Sequence, residues 1–195
     1  MSSRPLSIVD KKDALRKELR RILKDLPVSE TEAANKEMAR LIKALPEYGN
    51  AKTVFCYIST GREPGTRELL RDMEQRGVRI AVPLCTAPGI MEARLISGMQ
   101  DVIAGSFGLL EPKAQTEIIR PHEIDFAVIP CMGCGRDGTR LGKGGGYYDR
   151  FLKGKVYKTA ALCYEQLMTE TVPHDAHDLS PDYIITQKGQ LEIES

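Results

Sequence analysis

The segment between positions 138 and 150 combines glycines, cations and tyrosines at a density that few structural roles require. Four of its glycines fall within five positions, at 142 and 144–146, with Lys143 among them and Arg140 two residues before. Glycine lacks a Cβ atom and adopts positive φ readily, so successive backbone N–H groups can converge on an anion. The flanking lysine and arginine add charged donors to the same concavity. The segment therefore predicts a phosphate-binding loop.

This loop matches neither of the common nucleotide-binding signatures. Three residues rather than four separate Gly138 from Gly142-Lys143, and Gly144 stands where the Walker pattern needs serine or threonine. A GxGxxG pattern fails as well, because Tyr147 occupies its last glycine position. A flexible glycine loop without a ligand is the alternative interpretation.

A carboxylate follows the glycines at Asp149, on the first turn of a short helix that we expect over 147–152. A carboxylate at this place could hold a divalent cation against bound phosphates. The stretch from His174 to Asp178 also carries several potential metal ligands. Such a stretch is more often a solvated polar loop, so we expect a single carboxylate from it to reach Mg²⁺ through water rather than metal binding by its histidines.

Five cysteines stand at positions 56, 85, 131, 134 and 163. Their number is odd and most lie in apolar runs, which indicates reduced thiols in a core rather than a disulfide framework. Cys131 and Cys134 form a C-x-x-C motif. Neither a second C-x-x-C nor a paired histidine motif accompanies it, so we do not expect zinc or redox chemistry there. A thiol sensor built on these two cysteines is the alternative.

The composition is that of an ordinary globular chain. With 195 residues and 42% hydrophobic content, we expect a single domain over 1–195, with 1–9 disordered and 187–195 as a C-terminal tail. Its 28 cations and 27 acids are interspersed, which excludes a globally basic nucleic-acid binder. No apolar run could span a membrane and residues 1–10 hold no signal-peptide core, so we expect a cytoplasmic protein without membrane partners. We also expect a monomer or a weak homodimer.

Hydrophobic periodicity predicts alternating helices and strands. The expected helices cover 10–26, a second segment that starts at a Ser29–Glu32 capping box and ends near Pro46, 66–76 and 147–152. The expected strands cover 53–58, 78–84, 90–96, 125–130, 158–164 and 183–186, with a loop-rich stretch and a possible helical turn over 103–121. Strand, helix and strand in this spacing indicate right-handed parallel crossovers. The sequence therefore predicts an α/β fold, a Rossmann-like three-layer sandwich with a central, mostly parallel sheet.

In such a fold, ligands bind beyond the carboxyl ends of the strands. Three polar loops meet this condition, at 59–66, 131–146 and 165–178. Glu63 in the first loop could accept hydrogen bonds from the amino group of a heterocycle, although an acid near a helix start is an equal alternative. Lys12 and Arg16 lie one turn apart on the first helix and could clamp phosphate from outside the glycine loop, or else form a solvated basic face.

Several segments, taken in chain order, resemble the 5-formyltetrahydrofolate cyclo-ligase (methenyltetrahydrofolate synthetase) family. They are Lys12-Asp13-Ala14-Leu15-Arg16, Glu63-x-x-Thr66, Gly108-Leu109-Leu110-Glu111-Pro112, Arg140-Leu141-Gly142-x-Gly144-x-Gly146-Tyr147-Tyr148-Asp149 and Glu165-Gln166. The fourth is quite specific to the family. The resemblance implies an ATP- and Mg²⁺-dependent conversion of 5-formyltetrahydrofolate into 5,10-methenyltetrahydrofolate, ADP and phosphate, through a phosphorylated formyl (iminium phosphate) intermediate.

The resemblance also implies roles for individual residues. ATP would be bound by Lys12, Asp13, Ala14, Leu15, Arg16, Arg140, Leu141, Gly142, Lys143, Gly144, Gly145, Gly146, Tyr147 and Tyr148. The folate substrate would be bound by Ile58, Glu63, Lys143, Gly144, Gly145, Gly146 and Tyr147. Arg140 and Lys143 would serve catalysis, and Asp149 and Asp178 would hold Mg²⁺. No enzyme nucleophile is required, which agrees with a chain that offers no convincing Ser/His/Asp or Cys/His arrangement.

The sequence departs from the family pattern in two places. Phe107 stands where the family often has tryptophan. Residues 130–137 read Pro-Cys-Met-Gly-Cys-Gly-Arg-Asp, where Pro-Gly, an aliphatic or aromatic residue, Ala or Gly, Phe and Asp are usual. A paralogous ATP- or folate-binding enzyme with an altered substrate is therefore one alternative. A non-catalytic module that binds an anionic ligand or RNA through the glycine loop and the basic first helix is another.

Overall fold

The computed structural model describes residues 6–105 and 110–193. Its helices are α1 (Ile8–Asp25), α2 (Val28–Ala44), α3 (Pro46–Asn50), α4 (Arg67–Gln75) and α5 (Tyr147–Phe151). Its strands are β1 (Thr53–Cys56), β2 (Arg79–Ala87), β3 (Ile90–Ile96), β4 (Val102–Ala104), β5 (Leu110–Pro112), β6 (Ile118–Ile119), β7 (Phe126–Pro130), β8 (Gly133–Gly135), β9 (Arg140–Leu141), β10 (Lys158–Leu162), β11 (Met168–Thr169), β12 (Tyr183–Thr186) and β13 (Gly189–Glu192). Gly108 and Leu109, on which the resemblance partly rests, lie outside the described residues, as does Phe107, where the sequence departs from the family pattern.

Eight of the described strands form the central sheet, in the order β13-β12-β10-β7-β1-β2-β3-β6. The five neighbours from β12 to β2 run parallel, whereas β13 at one edge and β3 and β6 at the other pair antiparallel. Two small sheets, β11-β8-β9 and β4-β5, stand beside it. The predicted α/β class with a mostly parallel central sheet is therefore confirmed.

Burial explains why the central strands form where they do. All four residues of β1 are buried, as are residues 126–129 of β7 and 159–162 of β10. Continuous apolar runs of this kind are typical of parallel strands whose two faces are both covered. Aspartates tie the starts of neighbouring strands together: Asp125 Oδ2 accepts from Thr53 N at 2.8 Å, and Asp182 Oδ2 accepts from Thr159 N at 2.9 Å.

Helix α1 begins at Ile8 because Ser7 caps it. The Ser7 hydroxyl accepts from the backbone N–H of Asp10, and Asp10 Oδ2 accepts in return from the Ser7 N–H, both at 3.2 Å. The expectation of disorder over 1–9 is therefore wrong for residues 8 and 9, which are helical. The apolar stripe of this helix packs on the core as expected, with Leu19 fully buried. Among the described residues, none of the helices combines the length and apolar composition that a membrane crossing requires.

Three further expectations need correction. α2 starts at Val28 directly after Pro27, so Ser29 lies inside its first turn and the predicted capping box with Glu32 does not form. Residues 189–192 form β13 against β12 rather than a tail. The strands β8, β9 and β11 lie inside stretches that were expected to be loops, since two or three residues are too few to show an alternating pattern.

Candidate active site

A cavity of about 240 Å³ opens beyond the carboxyl ends of β1 and β7. The chain leaves β1 toward β2 on one side and leaves β7 toward β10 on the other, so the two connections diverge at this point of the sheet. Ligands of open α/β sheets bind in the crevice that such a divergence creates. The cavity is lined by Tyr57, Ile58, Glu63, Pro83, Cys85, Met91, Leu110, Glu111, Pro130, Cys131, Arg140, Gly142, Lys143, Gly145, Gly146, Tyr147, Tyr148 and Asp149. Two of the three loops predicted to carry the site, 59–66 and 131–146, therefore contribute to its walls.

Glu63 reaches the cavity from the loop after β1. Its Oε2 atom accepts from the Thr60 N–H at 2.9 Å and from the Thr60 hydroxyl at 3.1 Å, which fixes the carboxylate in one orientation. Its Oε1 atom forms an ion pair with Lys143 of the glycine loop. The Glu63 side chain is 14% exposed and that of Lys143 is 54% exposed, so the carboxylate of the pair is mostly buried while the lysine reaches solvent. Glu63 is thus a held acceptor rather than a solvated surface acid.

The glycine loop adopts a backbone that only glycine tolerates well. Gly144 and Gly146 have φ values of 102° and 62°, in the region that residues with a Cβ atom rarely occupy. A Cβ atom on Gly145 would lie 2.6 Å from the ring of Tyr147. The expectation of positive φ in this loop is confirmed, and its backbone is open to close approach by a ligand.

Arg140 is the buried cation of the site. Its side chain is 3% exposed, and Nη2 donates to Asp149 Oδ1 at 2.6 Å while Nη1 donates to the Pro130 carbonyl at 3.2 Å. The Nε atom is buried and has no hydrogen-bond partner among the described residues. A buried donor without a partner is costly, so a ligand that accepts from this guanidinium would gain more than a solvent-exposed contact offers.

Helix α1 carries two cations, Arg16 and Lys12, that contact different loops near the site. Arg16 donates through Nε to the Gly142 carbonyl at 2.9 Å and pairs with Asp13 at 2.6 Å, so it lies against the glycine loop. Lys12 instead contacts Asp178 and, at 3.2 Å, Asp175 in the loop that follows β11. Burial lowers the pKa of Lys12, but the hydrogen bonds that its ammonium donates to these two carboxylates outweigh that effect and raise the pKa.

None of the α1 residues that the resemblance assigns to ATP lines the cavity itself. Ala14 is exposed, Leu15 packs against the hydrophobic core, and neither lines the cavity. Leu141 in β9 is likewise buried in the core rather than presented to the cavity. Arg16 is therefore the residue of this helix that the structure brings to the glycine loop.

Asp149 and Asp178, the predicted metal ligands, lie on segments that touch. Asp149 Oδ1 accepts from Arg140 and, at 3.2 Å, from the backbone N–H of Leu179, the neighbour of Asp178. Both bonds fall on the same oxygen. His174 and His177 are exposed, and His174 bonds the Val172 carbonyl within its own loop, as expected for a solvated stretch.

Several cavity residues were not anticipated from the sequence. Pro83, Cys85 and Met91 come from the β2–β3 hairpin, and Arg150 links this hairpin to the glycine loop. The Arg150 Nε donates to the Gly89 carbonyl at 2.8 Å, and its guanidinium also contacts the Gly145 carbonyl. The sequence did offer one signal, the parallel crossover predicted between the strands at 53–58 and 78–84. The observed pairing of β1 with β2 places the end of β2 beside the predicted site.

Tyr147 and Tyr148, which the resemblance assigns to ligand binding, also line the cavity. Burial raises the pKa of Tyr148 well above its usual range, so its phenol remains a neutral hydrogen-bond donor. The ring of Tyr148 packs edge-on against Phe55 of β1, with 6.3 Å between centroids. The two tyrosines thus combine an apolar wall with polar tips.

Three cysteines form a cluster next to the cavity, and one of them, Cys131, is part of the cavity lining. The Sγ atoms of Cys131, Cys134 and Cys163 lie within 4.8 Å of one another, and all three side chains are buried. Donation from the Cys134 and Cys163 thiols holds the pKa of Cys131 below its usual range against the effect of burial. The described cysteines are all free thiols, as predicted, but the linear C-x-x-C pattern gave no sign that Cys163 would join the pair.

Comparison with known proteins places these features in one family. A sequence model of the 5-formyltetrahydrofolate cyclo-ligase family matches residues 8–187. The 5-formyltetrahydrofolate cyclo-ligase of Mus musculus is 26% identical over 192 residues, which cover 89% of this chain and 92% of that protein. The solution structure of 5,10-methenyltetrahydrofolate synthetase from Aquifex aeolicus superposes with a TM-score of 0.83 at 25% identity, covering 94% of this chain and 93% of that one. The synthetase of Mycoplasma pneumoniae, 22% identical, shares the fold with a TM-score of 0.73 over 90% of this chain and 98% of its own.

Proposed function

The chain belongs to the 5-formyltetrahydrofolate cyclo-ligase family, and on this premise we propose that it converts 5-formyltetrahydrofolate into 5,10-methenyltetrahydrofolate with ATP and Mg²⁺, releasing ADP and phosphate. One observation carries the proposal. A single cavity is lined by residues of the glycine loop, by Arg140 and by the oriented carboxylate of Glu63. The reaction needs both within one site, because the glycine loop and Arg140 suit a polyphosphate and the carboxylate suits a pterin ring.

The phosphates of ATP bind at the glycine loop. Lys143 and Arg16 supply charge from either side of the loop, and the backbone at 144–146 is accessible because it carries no Cβ atoms. Arg140 adds a buried guanidinium whose Nε still lacks a partner. This combination fits a polyphosphate, since forked and mobile cations complement converging backbone N–H groups.

The pterin ring of the folate binds beside Glu63. The Glu63 carboxylate accepts hydrogen bonds from the ring N–H and amino groups, and its orientation is already set by Thr60. Ile58, Met91 and Tyr147 provide apolar surface around it. An oriented carboxylate in a mostly apolar cleft selects a flat heterocycle with adjacent donors, because other ligands would leave the buried charge without partners.

Asp149 and Asp178 fit the role of Mg²⁺ ligands. Asp149 lines the cavity, and both of its hydrogen bonds fall on Oδ1, which leaves Oδ2 for a cation. Asp178 lies on the adjacent segment outside the cavity lining, and its Oδ2 accepts from Lys12 and from the Asp175 N–H, so an ion would bind its other oxygen. Carboxylate oxygens together with phosphate oxygens are the donors that Mg²⁺ prefers. When bound there, the ion neutralises negative charge on the phosphates.

The reaction requires positioning and charge neutralisation rather than an enzyme nucleophile. The formyl oxygen attacks the γ-phosphorus of ATP, the bond from that phosphorus to the bridging oxygen breaks, and ADP leaves with that oxygen. N10 then adds to the activated formyl carbon, loses its proton to solvent, and phosphate departs with the original formyl oxygen to leave the methenyl bridge. Arg140 and Lys143 stabilise the charge that moves onto the phosphate oxygens, and Glu63 holds the ring so that the formyl group faces them.

The direct test follows product absorbance. Purified protein is mixed with 5-formyltetrahydrofolate and ATP, and the near-ultraviolet absorbance of methenyltetrahydrofolate is recorded with Mg²⁺ and with a chelator. A rise that needs ATP and Mg²⁺ is the expected result. Folded protein that binds ATP without producing the rise would overturn the proposal and favour a paralogue with a different substrate.

A further inference from the structure

A group of three thiols, which we term the cysteine triad, lies where three chain segments meet. Cys131 follows β7, Cys134 belongs to β8 and Cys163 follows β10. Their Sγ atoms lie within 4.8 Å of one another. Cys134 and Cys163 are fully buried and Cys131 is 7% exposed. The proposed reaction uses none of these thiols, so their convergence has a different origin.

The pairing of the strands explains how the triad assembles. β7 and β10 run parallel with Pro130 opposite Leu162, so the next residues, Cys131 and Cys163, follow side by side. The Cys131 thiol donates to the Leu162 carbonyl at 3.1 Å, which holds it toward the neighbouring strand. Cys134 then returns to this place through β8. Three soft donors from separate segments thus converge on one point.

The charge near the triad comes from Arg140. Cys134 and Arg140 are direct partners in the antiparallel pairing of β8 with β9, and partners of this kind carry their side chains on the same face of a sheet. Arg140 is 6% exposed and its Nε lacks a hydrogen-bond partner among the described residues. A nearby buried cation favours the charged form of acidic groups such as thiols.

We propose that the cysteine triad binds one thiophilic metal ion of the Zn²⁺ class through three thiolates. A metal–sulfur bond of about 2.3 Å requires sulfur atoms roughly 4 Å apart, which the triad reaches with small side-chain movements. Binding releases three thiol protons to solvent and leaves a complex with one net negative charge. Arg140 offsets that charge, and soft thiolates select such ions over Mg²⁺.

The ion has a route to the triad. Cys131 forms part of the lining of the cavity described above, so an ion can enter from solvent without unfolding the core. The donors of the triad are thiols, whereas the proposed Mg²⁺ ligands Asp149 and Asp178 are carboxylates, so the two sites select different classes of ion. The site therefore does not depend on the proposed reaction.

The experiment uses Cd²⁺ as a spectroscopic probe of the full chain. Reduced, metal-free protein is titrated with Cd²⁺ under anaerobic conditions while the ultraviolet sulfur-to-cadmium charge-transfer band is recorded. We expect saturation at one Cd²⁺ per chain, and an affinity at least about tenfold weaker in Cys163→Ser. Cys56→Ser is the matched control, because Cys56 is equally buried but lies outside the triad, and it should titrate like the wild type.

A second measurement covers the case in which a triad variant fails to fold. Wild-type protein with and without Zn²⁺ is exposed to an alkylating reagent in mild denaturant, and modified cysteines are identified by mass spectrometry. Slower modification of Cys131, Cys134 and Cys163 together when Zn²⁺ is present, with the modification of Cys56 and Cys85 unchanged by Zn²⁺, supports the site. An unchanged pattern with Zn²⁺, a Cd²⁺ affinity that Cys163→Ser leaves unaltered, or a disulfide formed in place of metal binding would each overturn it.

Discussion

Lys143 and Glu63 form an ion pair that joins the glycine loop to the loop after β1. Both side chains line one cavity, and the proposed reaction assigns Lys143 to the phosphates and Glu63 to the pterin. In the proposed reaction, a phosphate of ATP would replace Glu63 as the partner of Lys143, and the pterin would replace Lys143 as the partner of Glu63. This relationship makes the two binding events separable by mutation.

Lys143→Ala should weaken ATP use more than folate use. Lys143 is 54% exposed, so its removal should leave the free energy of unfolding within about 0.5 kcal/mol of the wild type. We expect the KM for ATP to rise at least about tenfold, since a charged contact to phosphate is lost, and the KM for 5-formyltetrahydrofolate to change less. Lys153→Ala, an exposed lysine just after α5, is the control. Equal losses for the two substrates would contradict this division of roles.

Glu63→Gln should impair the folate side alone. The amide keeps an acceptor for Thr60 but loses the charge that attracts the ring donors and Lys143. The KM for 5-formyltetrahydrofolate should rise by about tenfold or more, with the KM for ATP nearly unchanged. Glu68→Gln, which removes an exposed carboxylate paired with Lys43, should leave both constants as they are. An unaltered folate KM in Glu63→Gln would remove Glu63 from the pocket.

Asp149→Ala should cost stability because it leaves Arg140 buried without its counter-ion. The Arg140 side chain is 3% exposed and its bond to Asp149 is 2.6 Å long. Breaking a buried pair on one side typically costs about 3 kcal/mol or more, whereas a surface pair contributes about 1 kcal/mol at most. Urea unfolding should show this contrast with Glu37→Ala, which breaks the exposed pair with Arg40. Similar losses in the two variants would show that Arg140 finds another partner.

Gly146→Ala and Gly154→Ala separate backbone strain from function. Both glycines have positive φ, 62° and 74°, so alanine at either position should destabilise the protein by about 1 kcal/mol. A Cβ atom on Gly146 would lie 2.9 Å from the Arg150 guanidinium, whereas nothing stands within 4 Å at Gly154. Thermal unfolding should shift in both variants, but only Gly146→Ala should raise the KM for ATP. A normal KM in Gly146→Ala would show that the loop does not need this conformation to bind phosphate.

Asp182 should make stability depend on pH in the acid range. Burial raises the pKa of Asp182, but hydrogen bonds from Lys155 and Thr159 outweigh burial and hold the pKa below its usual value. Its contribution is therefore fully present above the pKa of the unfolded chain and is lost as the pH falls through the lower folded value. The stability advantage of the wild type over Asp182→Asn should be constant above about pH 5 and should shrink toward pH 3. Urea unfolding across this range checks it, and a constant advantage would refute the assigned cause.

The glycine loop and the central strands could be predicted from local pattern. A short, continuous apolar run such as 126–129 is typical of a buried parallel strand. The glycines beside Lys143 predict a backbone with positive φ that a ligand can approach closely. The short strands and the Ser29 capping box could not be predicted in the same way. Pro27 decides where α2 begins, and two-residue strands such as β9 exist only because a neighbour pairs with them.

The sequence by itself determined the α/β class, the glycine-rich loop with its positive φ values and the family resemblance, because these depend on periodicity and on residues that are neighbours in the chain. Only the tertiary structure decided which side chains contact one another. In the folded protein, Lys12 pairs with Asp178 and Arg16 contacts the glycine loop. Glu63 pairs with Lys143, and Cys163 lies beside the C-x-x-C motif. Each of these contacts joins residues far apart in sequence, and their meeting depends on strand order and register, which no local pattern specifies.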